Sequence, residues 1–388
     1  MRLLVIVSGD YGELSVAKYF LGGLQIAPIP VMLVPAGLRQ PEGVEAGVDV
    51  RTYDELADIV RVVEETDPDT VLLFSGYLLT IGRRFSLLKA FLLFRLLRRR
   101  GARIITSDPF IGLIRSPWSL RFREMLRLRK KRGPGLAASI LAPLFAIRTY
   151  LIHLQLRRDW HLYPAPVAHR FLAPGHRGRS FFNGSAALAA ADMAAGTDAT
   201  PTWLFVLSQV DFRYQTNRRG EAFVGHVAAR LCDAARLGRR VVMIGPADLL
   251  EDLRRRIGDG SGIELRGIAS HSEYMRYLMR AERVFVWNYY SSSVLHRVLA
   301  NRPVHYFDEG HMVSILPELE QVGIDTFYGG WRPPLLRVEE PFDERQLDRL
   351  AQETRENFAR IKARMAGGLS PRALLEAAGA CDGPPLSG

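Results

Sequence analysis

Three consecutive serines, Ser291, Ser292 and Ser293, stand in the stretch WNYYSSSVLHRVLANRPVHYFDEG, between an apolar run and a helical pattern. The first backbone N–H groups of a helix have no partner within the helix and carry a partial positive charge, so an anion is stabilised there. Three hydroxyl donors at that position, with Arg297 a turn or so later, predict a phosphate-binding loop. The alternative is that one serine caps the helix and the others are small residues of a tight turn.

Three other loops in the second half of the chain also follow apolar, strand-like runs. They occur in LSQVDFRYQ, IGPADL and FDEGH. Their polar side chains and backbone amides are candidates for contacts with a nucleotide or a sugar, although a Gly-Pro turn, an exposed arginine or turn-capping carboxylates would explain each loop equally well. With His296 of the helix after the serines, the candidate residues are Ser208, Gln209, Arg213, Gly245, Pro246, His296, Asp308 and Glu309.

The first half of the chain offers a candidate general base. In SGDYGEL, Asp10 and Glu13 are carboxylates on a turn after the first apolar run, and such a group accepts a proton from an attacking hydroxyl if it lies within hydrogen-bond reach. The alternative is a capping box, in which Asp10 begins a helix and Glu13 completes the box. Tyr11, Tyr77 and Asp108 follow strand-like runs of the same half. We expect them to line the acceptor side of the site, where the molecule with the attacking hydroxyl would bind.

The elements that would position these residues alternate between strand-like and helical patterns. Continuous apolar runs such as RLLVIVSG, IPVMLVP and TVLLFSG are typical of parallel strands covered on both faces, and amphipathic helices separate them. The alternation lapses after residue 165 and restarts at TWLFVLSQ. We predict an α/β protein with two doubly wound Rossmann-like domains facing across a cleft, namely residues 1–180, a linker at 181–201, residues 202–345, and a C-terminal helix and tail at 346–388.

The positive charge of the chain is concentrated in one segment. The net charge is +11, yet nineteen Arg or Lys and only three acidic residues lie between Arg83 and Trp160. The cations flank two apolar runs, FSLLKAFLLFRLLRRR and LAASILAPLFAIRTYLIHLQLRR, which charges interrupt before they reach the roughly 18 residues of a spanning helix. This pattern favours helices that lie on an anionic membrane. Buried core helices with solvated basic ends, or a nucleic-acid surface, remain the alternatives.

Composition excludes several classes of protein. Two cysteines, Cys232 and Cys381, form neither a disulfide framework nor a metal cluster, and the histidines lack metal-ligand spacing. The first strand-to-helix turn contains neither of the glycine-rich phosphate or dinucleotide fingerprints, and no G-x-S-x-G elbow occurs in the chain. We expect no signal peptide, no cofactor and no metal, and a cytoplasmic protein attached peripherally to the inner face of the cell membrane.

The order of strand RVFVWN, serine loop, helix SVLHRVLANRP and strand PVHYFD resembles the donor half of GT-B-type glycosyltransferases. In many members a Glu stands where this chain has His296, and a Gly where it has Asn301. The serines are similar to the phosphate-binding serines of bacterial transferases that use CMP-activated sugars, such as sialyl- and Kdo-transferases. The resemblance implies metal-independent transfer from a nucleotide sugar, with Asp308, Glu309 and His311 near the donor sugar's hydroxyls.

These observations together predict a glycosyltransferase that moves a sugar from a nucleotide-activated donor to a membrane-associated or cell-envelope glycan or lipid. Two other functions fit the same sequence. A nucleotide-sugar epimerase or hydrolase of the same fold needs a second acid/base pair but no membrane surface. A non-catalytic membrane-associated scaffold with a degenerate nucleotide site is consistent with His296.

Overall fold

The chain folds into two compact α/β units. The computed structural model describes residues 1–9, 11–38, 43–45, 47–76, 79, 85–107, 121, 123–124, 136–167, 171, 176–196, 200–258, 262–267 and 270–380. One unit comprises Met1–Leu120, Pro143–Ala186 and Arg364–Gly388, and the other comprises Arg121–Ala142 and Ala187–Ala363.

The first unit is built on an eight-stranded sheet in the order β3-β4-β2-β1-β5-β6-β7-β8. Neighbouring strands are parallel, except that β3 pairs antiparallel with β4. Burial on both faces explains why β1, β2 and β5 are apolar throughout. The strands are β1 (Leu3–Val7), β2 (Val31–Pro35), β3 (Gly43–Glu45), β4 (Val48–Tyr53), β5 (Thr70–Phe74), β6 (Arg103–Thr106), β7 (Trp160–Tyr163) and β8 (Arg177–Ser180).

Helices connect these strands in the right order for a doubly wound unit. Among them, α2 buries one face through Ile59, Val62 and Val63, and α3 through Ala90, Leu93 and Phe94. The helices of this part of the chain are α1 (Tyr11–Leu21), α2 (Leu56–Thr66), α3 (Leu87–Arg99), α4 (Leu136–Leu156), α5 (Gly184–Ala195) and the C-terminal α14 (Pro371–Ala380).

The second unit has a five-stranded, wholly parallel sheet in the order β11-β10-β9-β12-β13. Its strands are β9 (Thr202–Val206), β10 (Arg240–Ile244), β11 (Glu264–Arg266), β12 (Arg283–Val286) and β13 (Val304–Tyr306). Its helices are α6 (Gln209–Arg219), α7 (Ala222–Arg236), α8 (Ala247–Ile257), α9 (His271–Arg280), α10 (Ser292–Leu299), α11 (His311–Ile315), α12 (Glu318–Thr326) and α13 (Glu344–Met365). Aromatic rings fill its core, where Phe205 and Phe285 of adjacent strands stack 4.5 Å apart.

Strand order reverses once in each sheet, and the reversal decides where a ligand can enter. In the second sheet the chain runs outward from β9 through β10 to β11, then crosses to β12 on the other side of β9. The first sheet does the same between β1 and β5. Loops leaving two such strands diverge, which opens a crevice at their carboxyl ends, the usual ligand site of doubly wound sheets.

The fold class predicted from the sequence is confirmed: both units are Rossmann-like. The predicted domain boundaries stay predictions, and the structure adds two features to them. The segment predicted as a linker contains α5, whose alanine-rich sequence has high helix propensity. The predicted C-terminal helix and tail are divided, since most of α13 belongs to the second unit and the residues from Arg364 onward belong to the first.

The amide side chain of Asn183 joins the end of α1 to the start of α5. Asn183 is 4% exposed, and its Nδ2 donates to the carbonyls of Tyr19, Phe20 and Gly22 at 2.7, 3.1 and 2.7 Å, where α1 ends. Its Oδ1 accepts a hydrogen bond from Ala186 N in the first turn of α5. Asn183 therefore satisfies backbone groups that both helix ends would otherwise leave unpaired.

Replacing Asn183 should destabilise the fold without touching the candidate ligand loops. We expect Asn183→Ala to lower the free energy of unfolding by about 2–4 kcal/mol, because buried carbonyls lose their donor. Chemical denaturation measures this, with the exposed neighbour Ser185→Ala as the matched control at about 0.5 kcal/mol or less. Equal stability of the two variants would contradict the capping role.

Candidate functional site

The serine loop follows β12 and begins α10. Ser291 is the N-cap: its Oγ accepts from Ser293 N at 3.3 Å and donates to Ser293 Oγ at 2.9 Å. Ser293 is 2% exposed and also bonds the hydroxyl of Tyr274, so it faces the interior. Ser291 and Ser292 stay half-buried at the carboxyl edge of the sheet. Ser291 therefore caps the helix, as the alternative interpretation of the loop predicts. The hydroxyls of Ser291 and Ser292 also lie near the surface.

Asn288 holds this loop against the loop after β13. Its Oδ1 accepts from Tyr290 N at 2.8 Å, and its carbonyl accepts from Ser291 N at 3.4 Å. Gly310 packs directly on it: a Cβ at Gly310 would lie 2.5 Å from Asn288 Oδ1, and the φ of +98° also requires glycine. The two loops are therefore held together by a contact that tolerates no side chain at position 310.

A buried carboxylate connects three strand ends at the same edge. Asp211 is 5% exposed; its Oδ2 accepts from Ser208 Oγ at 2.7 Å, and its Oδ1 accepts from His311 Nδ1 at 2.7 Å and from His311 N at 3.3 Å. The side-chain Nδ2 of Asn288 lies 3.5 Å from Asp211 Oδ2. Burial opposes the charge on Asp211, but the charge of His311 and the hydrogen bonds from His311 and Ser208 outweigh it and lower the pKa of Asp211.

The carboxylates after β13 have partners of their own. Asp308 is 6% exposed; it accepts from Gly310 N at 2.9 Å and pairs with Arg218 at 3.1 Å. Glu309 lies 3.4 Å from Arg332, and burial together with the nearby Glu320 raises its pKa. These two predicted sugar contacts lie at the same edge as the serine loop.

The remaining predicted donor residues of the second unit divide into two places. Ser208 caps α6, and the neighbouring Gln209 Nε2 lies 3.3 Å from Asp248. Arg213 lines a separate groove of about 580 Å³ formed by α6, α7 and α8. Gly245 and Pro246 make the turn from β10 into α8, where a Cβ at Gly245 would come within 3.0 Å of the Leu249 side chain.

His296 and Arg297 lie in the interior. Burial lowers the pKa of His296 to about 4, so the ring is neutral at physiological pH. Arg297 is 0% exposed, and its guanidinium donates to the carbonyls of Leu278, Ala281, Glu282 and Pro303 at 2.8–3.3 Å. Its donors thus cap the end of α9 and hold the start of β13, and the structure does not bring them to the serine loop.

The candidate residues of the first unit are described in part. Tyr11 begins α1 and donates to Leu38 O at 3.0 Å, while Glu13 accepts from Ser107 Oγ at 3.4 Å. Ser107 also accepts from Ser75 N at 2.9 Å, so the ends of β5 and β6 meet Glu13. Asp10, Tyr77 and Asp108 lie outside the described residues, and their roles stay predictions.

The structure brings His311 of the FDEGH loop together with two residues that sequence reasoning left out, Asp211 and Asn288. The signal for Asp211 was present, since SQVD is a capping-box pattern that places Asp211 in the first turn of α6. No group of three His, Cys, Asp or Glu in the described ranges has metal-binding geometry. Within those ranges, no helix is both long enough and apolar enough to span a bilayer.

No protein-family model matches this chain, and no curated protein matches it by sequence. Solved structures do match. UDP-GlcNAc 2-epimerase from Neisseria meningitidis bound to UDP-GlcNAc aligns with a TM-score of 0.57 and 11% identity over 97% of this chain and 99% of that one. UGT2 from Phytolacca americana, complexed with UDP-2fluoro-glucose and pterostilbene, aligns with a TM-score of 0.52 and 11% identity, over 98% of this chain and 99% of that one. The spinosyn rhamnosyltransferase SpnG aligns with a TM-score of 0.51 and 12% identity, over 98% of this chain and 100% of that one.

The fold is therefore one that this chain shares with GT-B-type glycosyltransferases and UDP-GlcNAc 2-epimerases. The alignments span almost the whole chain, whereas the sequence resemblance rested mainly on its second half. The identities are too low to carry activity or residue roles from one chain to the other.

The interior position of Arg297 leads to a stability prediction. We expect Arg297→Met to lower the free energy of unfolding by about 2–4 kcal/mol, since several buried carbonyls lose their donors. Chemical denaturation measures this against Arg337→Ala, whose side chain is 73% exposed and whose ion pair contributes about 1 kcal/mol or less. A folded Arg297→Met variant of wild-type stability that binds nucleotide more weakly would instead return Arg297 to the ligand site.

Proposed function

We propose that this protein is a metal-independent glycosyltransferase that takes a sugar from a nucleotide-activated donor. One observation carries the proposal: the serine-capped helix α10, Ser208 and the carboxylates after β13 converge on the carboxyl edge where the strand order of the second sheet reverses. The shared fold with nucleotide-sugar enzymes supports it.

In this proposal the donor phosphate lies at the start of α10. Ser291 and Ser292 offer hydroxyls there, and the first amides of the helix add partial positive charge. Asp308 and Glu309 accept hydrogen bonds from sugar hydroxyls. His296 and Arg297 support the loop from behind instead of contacting the donor, because both are buried.

The acceptor hydroxyl must lose a proton as it attacks. The proposal assigns this proton to Asp10 or Glu13, and Tyr11, Tyr77 and Asp108 to the acceptor side. Ser107 Oγ donates a hydrogen bond to the carboxylate of Glu13, so a neighbouring side chain orients this candidate base.

The proposal also includes attachment to an anionic membrane through α3 and α4. Arg98 joins these helices by donating to Gln155 O at 2.7 Å. Four apolar side chains on them are unusually exposed: Leu88 at 67%, Leu92 at 48%, Leu144 at 58% and Ile147 at 41%. Exposed cations accompany them, namely Lys89, Arg95, Arg99, Arg157 and Arg158. Exposed apolar side chains beside cations match the chemistry of an anionic lipid surface.

An epimerase acting on the same class of substrate is the second candidate. The match to the Neisseria meningitidis 2-epimerase, with the highest TM-score of the three structures described above, favours it. An epimerase converts its nucleotide sugar without an acceptor, so conversion of the donor alone, observed by NMR, would support it over transfer.

Nucleotide binding tests the core of the proposal. We expect calorimetry with UDP, GDP, dTDP and CMP to detect binding of at least one nucleotide. The double variant Ser291→Ala and Ser292→Ala should bind it about 1.5–3 kcal/mol more weakly, because charge-assisted hydrogen bonds to phosphate are lost while the helix amides remain.

Ser272→Ala is the matched control, since this exposed serine lies on α9 and should leave affinity unchanged. Absence of binding for all four nucleotides would overturn the proposed function. Unchanged affinity of the folded double variant would remove only the serine loop from it.

Vesicle flotation tests the membrane surface. We expect the protein to float with phosphatidylglycerol vesicles and much less with phosphatidylcholine ones. Salt should release it in part, because headgroup attraction is screened over about 8–10 Å whereas apolar insertion is not. Leu88→Ser with Leu92→Ser should reduce binding at least about tenfold.

The matched control is Leu188→Ser, which removes an equally exposed leucine, 69% exposed, from α5. Equal flotation of the double variant and the control would place the contact elsewhere. A protein that floats with neither lipid has no membrane surface, and a soluble acceptor or the epimerase would then be favoured.

A further inference from the structure

His311 and Asp211 form a carboxylate–imidazole pair that the proposed donor site does not yet use. Asp211 Oδ1 accepts hydrogen bonds from both the ring Nδ1 and the backbone N of His311, which fixes the ring's position and its tautomer. The Asp211 side chain is 6% exposed and that of His311 is 16% exposed. With Nδ1 committed to the carboxylate, Nε2 is the ring atom left to exchange a proton or donate to a ligand.

The pair lies within a short chain of contacts from the serine loop. Asp211 is 3.5 Å from the amide of Asn288, and the carbonyl of Asn288 accepts from Ser291 N. Gly310, directly before His311, packs on Asn288 at a distance that leaves no room for a Cβ. His311 and the serines therefore belong to one edge, at the ends of β12 and β13.

In the described part of the chain, the arginines near this edge already have carboxylate or carbonyl partners or line another groove. Arg218 pairs with Asp308, Arg219 with Glu339, and Arg332 with Glu309 and Glu320. Arg297 is held by carbonyls, and Arg213 lines a different groove. By contrast, His311 Nε2 has no hydrogen-bond partner among the described residues.

We propose that His311, oriented by Asp211, is the cationic group that contacts the phosphate of the nucleotide donor. This inference rests on the proposed function and adds a residue to it. The imidazolium donates from Nε2 to a phosphate oxygen, while Asp211 balances the charge of the ring from the buried side. The arrangement is consistent with the lowered pKa of Asp211, since burial opposes the charge of the carboxylate but the charge and hydrogen bonds of His311 outweigh it.

The inference predicts that nucleotide affinity depends on pH through His311. Calorimetry with UDP and CMP between about pH 5 and 8 should give binding that weakens as the pH rises, because the neutral ring no longer offers a positive charge. At pH 6, His311→Gln should bind about 10- to 100-fold more weakly, the range expected for one charge-assisted hydrogen bond. The pH dependence that remains should be that of the nucleotide phosphate itself.

Other titratable or charged groups lie on the elements packed around His311, so the comparison with His311→Gln is essential. They are Asp211, Tyr214, Arg218 and Arg219 on α6, Asp308 and Glu309 after β13, Glu318, Glu320 and Asp325 on α12, and Arg121, whose N donates to Ile315 O at the end of α11. The matched control is His226→Gln on α7, which changes a histidine away from this edge and should retain both affinity and pH profile.

A purely structural pair would give a different result. His311→Gln would then melt at a lower temperature, but its folded form would bind UDP or CMP with wild-type affinity and wild-type pH dependence, and the inference would be overturned. If His311→Gln does not fold, Asp211→Asn is the second variant. Asparagine keeps the shape of the side chain and removes its charge. The inference requires the pH dependence of nucleotide affinity to shift to lower pH in this variant, and an unshifted profile overturns the inference. A wild-type protein that binds no nucleotide at all overturns the proposed function and this inference together.

Discussion

The structure depends first on a constraint of parallel sheets, in which every strand must be followed by a connection that returns to the opposite edge. All strands of the second sheet are parallel, so their carboxyl ends lie at one edge and their amino ends at the other. Apart from the edge strand β11, the strands of this sheet are largely buried. Polar residues are consequently concentrated in the loops, and the segments that follow β9, β12 and β13 contact one another at the carboxyl edge. The residues proposed to bind the donor therefore lie at this edge as a result of topology and not of any single motif.

Within that edge, one buried charge organises the loops. Asp211 is desolvated, and an unpaired carboxylate in that position would be costly. The structure satisfies it with Ser208 from the end of β9, Asn288 from the end of β12 and His311 from the end of β13. Each partner belongs to a different loop, so neutralising one charge also sets the relative positions of three strand ends. These contacts within the chain therefore fix the positions of the loops at this edge.

The apolar runs and their alternation predict the fold class because burial on both faces leaves a clear pattern in each strand. The runs RLLVIVSG, TVLLFSG and TWLFVLSQ form β1, β5 and β9. The serine loop could be located for the same reason, since it follows one of these runs. Such patterns do not predict the direction in which an individual side chain points. Arg297 lies one turn after the serines in sequence, but α10 is buried on most of its surface, and the guanidinium extends to the carbonyls at the end of α9.

The pair of Asp211 and His311 illustrates why the rest of the site is not predictable from sequence. The two residues are 100 positions apart, and only the arrangement of β9 beside β12, and of β12 beside β13, brings them into contact. Their contact in turn changes what the edge can offer a ligand. Where arginines are already paired with carboxylates, added negative charge must be met by hydroxyls, helix amides and a titratable ring. If His311 contacts the donor phosphate as proposed, such an edge would neutralise the phosphate most fully with a positively charged ring. On that proposal, binding and release of a phosphate-bearing group would depend in part on the protonation of one imidazole.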